Sequence, residues 1–220
     1  MPLAYQVDAS TGILGPVLPS INNPGDFQIS PDLHTLYYGD IDRSPAALKS
    51  FDVSTATPTL LRQSAFNAIG ENGQAVVLSH NGSILTSVCG YPYGMSNYGV
   101  VLRNSGDFST LVPLVTGAYP ENLSFSPDDL RAYVAHGAGS SNGVDIFDTS
   151  TGTLLNQFPV ANFVTNMLVA PNSRQLFVTF DTGPYGNTHT YVYDTGVVPE
   201  PASITLLAIG ATTLLGRRRR

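Results

Sequence analysis

The sequence predicts an all-β protein, a partial β-propeller of about four four-stranded blades followed by a short C-terminal transmembrane helix. Two landmarks that recur in phase every 44–51 residues predict the repeated blades. Turn chemistry that divides each period into four short strands predicts the blade architecture. An apolar segment that ends in four arginines at the C-terminus predicts the helix.

The first landmark is an apolar strand followed by Ser or Ala and then by Pro-Asp or a related pair. Its Ser or Ala lies at positions 30, 79, 126 and 170, so the steps are 49, 47 and 44 residues. The four segments are Phe27–Asp32, Val76–Asn81, Leu123–Asp128 and Met167–Asn172.

The second landmark is an aromatic or apolar strand that ends in a polar residue and enters a turn. Its polar residues lie at positions 8, 52, 103, 148 and 194, in steps of 44, 51, 45 and 46. Because two independent landmarks keep the same period, they indicate a structural repeat.

The third repeat shows the strands most clearly, at about 122–126, 131–136, 143–149 and 153–158. The segments between them are rich in Pro, Gly, Asp and Asn, which favour turns. Phe125 and Phe147 lie on alternating strands of this repeat and are expected to be buried.

The repeats resemble YVTN-type β-propeller repeats. The matching residues are Ser126-Pro127-Asp128 with Tyr133-Val134 and Asp148 to Gly152, Ser30-Pro31-Asp32 with Tyr37-Tyr38, and Phe177-Val178-Thr179 with Asp194-Thr195-Gly196. The second repeat departs from the pattern, with Ser79-His80-Asn81-Gly82 and no Tyr-Val pair. The resemblance covers about residues 3–196 and implies blade geometry rather than a particular chemistry.

The strand count suggests that blades are missing upstream. The chain begins with the third and fourth strands of a blade, at about 3–8 and 12–18, and its last blade has only three strands. The N-terminus also lacks a basic and apolar leader. We therefore expect the upstream reading frame to encode a signal peptide and further repeats.

The charge distribution separates the body from the C-terminal end. Residues 1–198 hold six basic and fifteen acidic side chains, a net charge of −9. An acidic body does not attract phosphate backbones, so we expect no nucleic-acid partner.

The C-terminal tail has three parts in a fixed order. Val198, Pro199, Glu200 and Pro201 precede an apolar run at 202–216, and Arg217, Arg218, Arg219 and Arg220 follow it. The run has 15 residues, or ~22 Å as a helix, against ~30 Å of hydrocarbon. Arginine stems can reach the interface and make up part of the missing length, and their charge suits a cytoplasmic membrane surface.

This layout resembles the PEP-CTERM sorting signal. The resemblance implies recognition near Val198–Pro201 by exosortase, a membrane transpeptidase, and removal of the helix. The precursor would be anchored in the inner membrane, and the mature protein would reach the cell surface or the exopolysaccharide matrix. We accordingly divide the chain into propeller repeats at 1–196 and a sorting tail at 197–220.

The body offers no recognisable catalytic motif, metal-ligand pair or cofactor loop, so we predict no catalytic residue, metal or cofactor. Loops at one face of the propeller carry polar and aromatic residues. The candidate ligand-face residues are Tyr91, Tyr93, Tyr98, Tyr119, Tyr185, Asp40, His136 and Asp181; the same loops also hold Asp26, Asp42, Glu71 and Glu121. For the charged members the simpler interpretation is solvated turn residues, and for the tyrosines it is rim packing.

Two functions follow from these features. The first is a non-enzymatic surface or matrix module that binds a glycan or a protein through the loop face. The second is a lactonase-like enzyme, because some YVTN-like propellers resemble lactonases. Metal content and a lactone-hydrolysis assay would discriminate between them.

Overall fold

The computed structural model describes residues 5–7, 14–17, 25–40, 47–55, 57–64, 71–91, 98–137, 142–181 and 188–195. Side chains are described for these residues apart from 5–7, 14–17, 71–74, 89–91 and 181. All regular secondary structure within these ranges is β-strand.

The strands form five antiparallel sheets, each in chain order. A two-stranded sheet holds β1 (Tyr5–Val7) and β2 (Leu14–Val17). Blade 1 holds β3 (Gly25–Ile29), β4 (Thr35–Asp40), β5 (Leu48–Asp52) and β6 (Thr59–Gln63). Blade 2 holds β7 (Glu71–Leu78), β8 (Ile84–Tyr91), β9 (Gly99–Asn104) and β10 (Thr110–Val115). Blade 3 holds β11 (Pro120–Phe125), β12 (Arg131–His136), β13 (Gly143–Asp148) and β14 (Leu154–Pro159). Blade 4 holds β15 (Val164–Val169), β16 (Gln175–Asp181) and β17 (Thr188–Asp194).

This division confirms the all-β, blade-like organisation that the repeats predict. The second and third strands of the third repeat begin where the sequence places them, and three strands of the last blade lie within the described residues. The first strand of blade 3 starts at Pro120, two residues earlier than expected. Proline is tolerated there because the first residue of a strand need not donate a ladder hydrogen bond.

The blades pack face to face around their first strands. β3 contacts β7, β7 contacts β11, and β11 contacts β15, so the first strands are innermost, as in a propeller. Apolar side chains fill each junction. The clusters include Leu48 and Val76 between blades 1 and 2, Phe125 and Phe147 between blades 2 and 3, and Tyr133 between blades 3 and 4. Both Phe125 and Phe147 are buried, as predicted.

The Ser-Pro-Asp turn owes its recurrence to hydrogen bonds at its base. The Ser126 hydroxyl accepts from the Arg131 amide at 3.0 Å and donates to the Asp128 carboxylate. That carboxylate accepts from the Leu130 amide at 3.1 Å. Each of the four such turns places its fourth residue at positive φ: Leu33, Gly82, Asp129 and Ser173.

The last described residue is tied to two blades. The Thr195 amide donates to the Arg174 carbonyl at 2.9 Å, and its hydroxyl donates to the Ser173 carbonyl at 3.0 Å. The Asn156 side chain of blade 3 donates to the Thr195 carbonyl at 2.9 Å. Thr195 is fully buried, so the chain is fixed two residues before the tail begins.

The face of blade 4 that points away from blade 3 exposes apolar side chains. Leu168 and Val192 are 64% and 55% exposed, and both flank Phe177 in register. In blade 3, Tyr133 and Ile146 hold the positions of Phe177 and Val192, and blade 4 buries them. The exposed row therefore has the composition of a blade-packing face.

The described part of the chain contains no helix that is long and apolar enough to cross a membrane. The predicted helix at 202–216 lies outside the described residues.

Candidate ligand-binding site at the junction of blades 2 and 3

The loop face of the sequence analysis corresponds to the end of the blades where each second strand finishes and each third strand starts. We call it the upper end; the Ser-Pro-Asp turns form the lower end. At the upper end, Tyr98, Tyr119, Glu121, His136 and Asp145 gather where blade 2 meets blade 3.

Tyr98 and Tyr119 form an aromatic pair. Their ring centroids are 4.8 Å apart and the ring planes are inclined by 44°. Tyr98 precedes the third strand of blade 2, and Tyr119 lies in the loop from blade 2 to blade 3, so the pair spans consecutive connections. Tyr119 is 46% exposed, which leaves aromatic surface open to solvent.

Tyr119 has an unusual backbone conformation. Its φ is 56°, in the left-handed region that costs a bulky residue about 1–3 kcal/mol. The other described non-glycine residues at positive φ are Leu33, Asp129 and Ser173 in the repeated Ser-Pro-Asp-type turns and Phe108 in the turn between β9 and β10. Phe163 holds the corresponding loop position before blade 4 and does not share this conformation. The conformation is therefore not a requirement of the blade repeat.

His136 and Asp145 form a buried pair beneath the tyrosines. The Nε2 atom of His136 lies 3.3 Å from Oδ1 of Asp145, with only 13% and 7% of the side chains exposed. The second carboxylate oxygen accepts from the Gly117 amide at 3.1 Å. The Nδ1 atom of His136 is buried and has no hydrogen-bond partner among the described residues.

Two glycines enclose the imidazole of His136. A Cβ at Gly117 would overlap the ring, and a Cβ at Gly143 would lie 2.9 Å from its Nε2 atom. The backbone therefore approaches the ring at both positions, and His136 is held rigidly rather than left to reach a substrate.

Glu121 occupies a β-bulge at the start of β11. The pairing register shifts between Pro120 and Asn122, so Glu121 has no partner across the sheet. Bulges redirect side chains; the same register shift recurs at Thr165 in β15 and in β7, so this bulge belongs to the blade repeat. Among the described residues, no group forms a hydrogen bond or ion pair with its carboxyl group. Burial raises the pKa of Glu121 to about 7, against a smaller opposite effect of the charge of His136.

The structure brings only some of the predicted ligand-face residues together. Tyr98, Tyr119 and His136 share the site. Asp40 ends β4 in blade 1 with its side chain buried, and no described residue bonds to one of its carboxylate oxygens, so it is not a solvated turn residue. Asp26 binds the Val76 amide at 2.9 Å and so joins blade 1 to blade 2.

The remaining predicted positions cannot be assigned to the site. Tyr91 and Asp181 end strands β8 and β16, and their side chains lie outside the described residues. Tyr93 and Tyr185 lie outside the described residues altogether, as do Val198–Pro201 and Arg217–Arg220.

Sequence reasoning missed Asp145 and Gly117. Asp145 is the one carboxylate at its repeat position, where the other blades have Lys49, Val101 and Tyr191. A charged residue in the middle of an apolar strand is a usable signal, because burial is costly unless a partner is present. Gly117 left no signal, since its role depends on how the loop approaches His136.

The site offers an aromatic surface and a carboxyl group to a ligand. Aromatic faces stack on sugar rings and side chains, and a carboxyl group can hydrogen-bond to hydroxyl groups. In the described ranges, no group of three or more His, Cys, Asp or Glu side chains is placed to hold a metal ion.

Solved structures with a similar fold include two that illustrate the likeness. Hydrazine synthase of Kuenenia stuttgartiensis aligns with a TM-score of 0.69 and 16% identity, over 86% of this chain and 56% of that chain. TolB from Acinetobacter baumannii aligns with a TM-score of 0.61 and 20% identity, over 87% and 45%. The chain thus spans about half the length of these structures, and at this identity the likeness concerns the fold alone. No curated protein matches the sequence.

The tail gives the match that bears on function. Residues 197–220 match the PEP-CTERM protein-sorting motif. This confirms the sorting signal that the Pro-Glu-Pro, apolar and arginine segments predict, whereas the type of propeller repeat stays a prediction. The chain therefore joins a propeller-like all-β body to the PEP-CTERM sorting motif of exported proteins that exosortase processes.

Proposed function

We propose that the chain is a bacterial surface or extracellular-matrix protein whose propeller is a non-enzymatic binding module. The PEP-CTERM motif at 197–220 carries this proposal, because it marks the protein for export and processing. In the precursor, the apolar helix at 202–216 anchors the protein in the inner membrane and Arg217–Arg220 remain on the cytoplasmic side. Exosortase then acts near Val198–Pro201 and the propeller of residues 1–196 reaches the surface or the exopolysaccharide matrix.

The upper end supports the binding role. A tyrosine pair of which Tyr119 is exposed, next to a rigid His136–Asp145 pair, offers a preformed surface to a glycan or a protein. Neither ring nitrogen of His136 is presented to a substrate for proton transfer, because one faces Asp145 and the other is buried. This favours binding over the lactonase-like alternative.

Intact-mass measurement of the exported protein tests the proposed processing. The chain, fused to an export leader, is expressed in a host with exosortase and in a matched host without it. In the first host, the exported protein loses the region after about residue 201; in the second, the intact tail is retained in the membrane fraction. Replacing Arg217–Arg220 with serine reduces membrane retention, because basic residues set topology, whereas Arg174→Ser in the body does not. Exported protein that keeps the whole arginine tail contradicts the proposal.

Binding is tested with isolated surface material. The processed protein is expected to co-sediment with matrix or cell-wall fractions of an exosortase host and to hydrolyse no lactone. Lactone hydrolysis that is lost in a His136→Gln variant would favour the enzyme alternative instead.

A further inference from the structure

We propose that the Tyr98–Tyr119 pair and Glu121 form a subsite for a pyranose ring that carries no acidic group. This inference rests on the proposed binding role of the propeller and specifies its ligand. Three features of the junction between blades 2 and 3 support it: the aromatic surface, the polar group beside it and the local charge.

The aromatic surface is formed by two tyrosine rings. The two rings belong to different connections and meet at a centroid distance of 4.8 Å, so together they form a tilted platform. Their 44° inclination leaves the pair as a shallow wedge rather than a flat stack. The C–H face of a pyranose packs on such a surface while its hydroxyl groups point to the rim.

The backbone conformation of Tyr119 indicates that the fold holds this platform in place at a cost in conformational energy. A tyrosine at φ 56° is unfavourable, and the corresponding Phe163 avoids that conformation. Strained residues of this kind cluster at ligand sites, where the surrounding structure fixes them in place. Here the Tyr119 carbonyl accepts from the Gly137 amide at 3.1 Å, which ties the strained loop to the end of β12.

Glu121 supplies a polar group that the fold itself does not use. It lies two residues after Tyr119, in the bulge, and no described residue pairs with its carboxyl group. A half-buried carboxyl group without a partner loses hydration on folding, and a sugar hydroxyl restores a hydrogen bond. The His136–Asp145 pair lies under this region and keeps it rigid.

The charge of the upper end excludes acidic sugars. Among the described residues, the connections beside the site (98, 116–119, 137 and 142) contain no lysine or arginine. Glu121 and Asp145 lie at the site, and the imidazole of His136 already faces Asp145. A uronic acid would bring its carboxylate next to these two carboxyl groups, and no lysine or arginine of the described connections balances it.

The experiment measures binding of matched neutral and acidic oligosaccharides to the full chain in mild detergent. Hexamers of glucose, galactose and mannose are compared with hexamers of glucuronic, galacturonic and mannuronic acid by titration calorimetry. We expect at least one neutral hexamer to bind, and its uronate counterpart to bind at least tenfold more weakly.

Three variants assign the binding to this site. Tyr119→Asn removes the ring and tolerates positive φ, and Glu121→Gln removes the charge while keeping the shape. Each is expected to weaken binding of the neutral hexamer at least tenfold. Phe163→Asn is the matched control, because Phe163 is an exposed aromatic residue at the same position of the next loop, and it leaves binding unchanged. Circular dichroism confirms that each variant is folded.

Each outcome decides one part of the proposal. Equal or tighter binding of the uronates, or no binding of any neutral hexamer, overturns the pyranose assignment. Neutral binding that all three variants leave intact overturns the location. In both cases, sedimentation with matrix material tests the wider binding role separately, and a protein ligand found there would replace the glycan.

Discussion

The carboxylate of Asp129 in blade 3 accepts a hydrogen bond from the backbone amide of His80 in blade 2, at 2.8 Å. Its second oxygen accepts from the next amide, that of Asn81, also at 2.8 Å. The Asp129 side chain is buried, so both bonds are shielded from water. A single carboxylate thus joins the lower-end turns of two neighbouring blades.

Asp129→Asn should lower the free energy of unfolding by ~1–3 kcal/mol, because charge-assisted hydrogen bonds to two amides are lost or weakened. Asparagine tolerates the φ of 59° at this position, so backbone strain does not confound the result. Chemical denaturation measures the change. Asp128→Asn, which affects only bonds within its own turn, should cost less; an equal loss would contradict the cross-blade role.

Phe125→Ala and Phe147→Ala should each cost ~3–5 kcal/mol, because both side chains fill the junction between blades 2 and 3 and a cavity would remain. Leu155→Ala, at an exposed position of blade 3, is the control and should change stability by less than ~0.5 kcal/mol. A change of similarly small size at either phenylalanine would show that the junction is not tightly packed.

Glu121 should make stability depend on pH between about 4.5 and 7. Its pKa is 4.5 when unperturbed and about 7 in the folded protein. Below this window both states hold the proton; as the pH rises through it, the unfolded state ionises first, so the folded state loses relative stability. Thermal midpoints of the wild type and Glu121→Gln are compared at pH 5 and pH 8. The thermal midpoint of Glu121→Gln, relative to that of the wild type, should be higher at pH 8 than at pH 5. A difference between the two midpoints that does not vary with pH would contradict the raised pKa.

Gly117→Ala should displace His136, because the added methyl group overlaps the imidazole ring. We expect a loss of ~1–3 kcal/mol in stability from overpacking and weaker ligand binding at the tyrosine pair. Gly106→Ala is the control, since a Cβ there meets only the Asn104 side chain, at 3.2 Å. Equal effects of the two substitutions would show that the loop at Gly117 adapts freely.

Local chemistry explains why much of the fold was predictable. The Ser126–Asp128 turn is closed by its own side chains, so its sequence alone defines a strand end. Phe125 and Phe147 follow the period of two that a blade requires. The sorting tail is likewise readable because order and composition define it, and the family match confirms it.

The candidate site depended on contacts between distant parts of the chain and was predictable only in part. Tyr98 and Tyr119 were expected on the loop face, yet their pairing across two connections leaves no local pattern. Asp145 is 28 residues from the Gly117 amide that it binds, and the burial of Asp40 depends on packing rather than on its place beside a loop. Periodicity locates strands, whereas sites arise where strand ends from different repeats meet.

The fixation of Thr195 has a mechanical consequence. If the tail links the protein to a membrane or a surface, any pull on it reaches the body at this residue. Its hydrogen bonds to Ser173, Arg174 and Asn156 share that force between the turn of blade 4 and the outer strand of blade 3. Strand β17 is thereby protected from being peeled off its sheet from the end, and the tether bears on two blades at once.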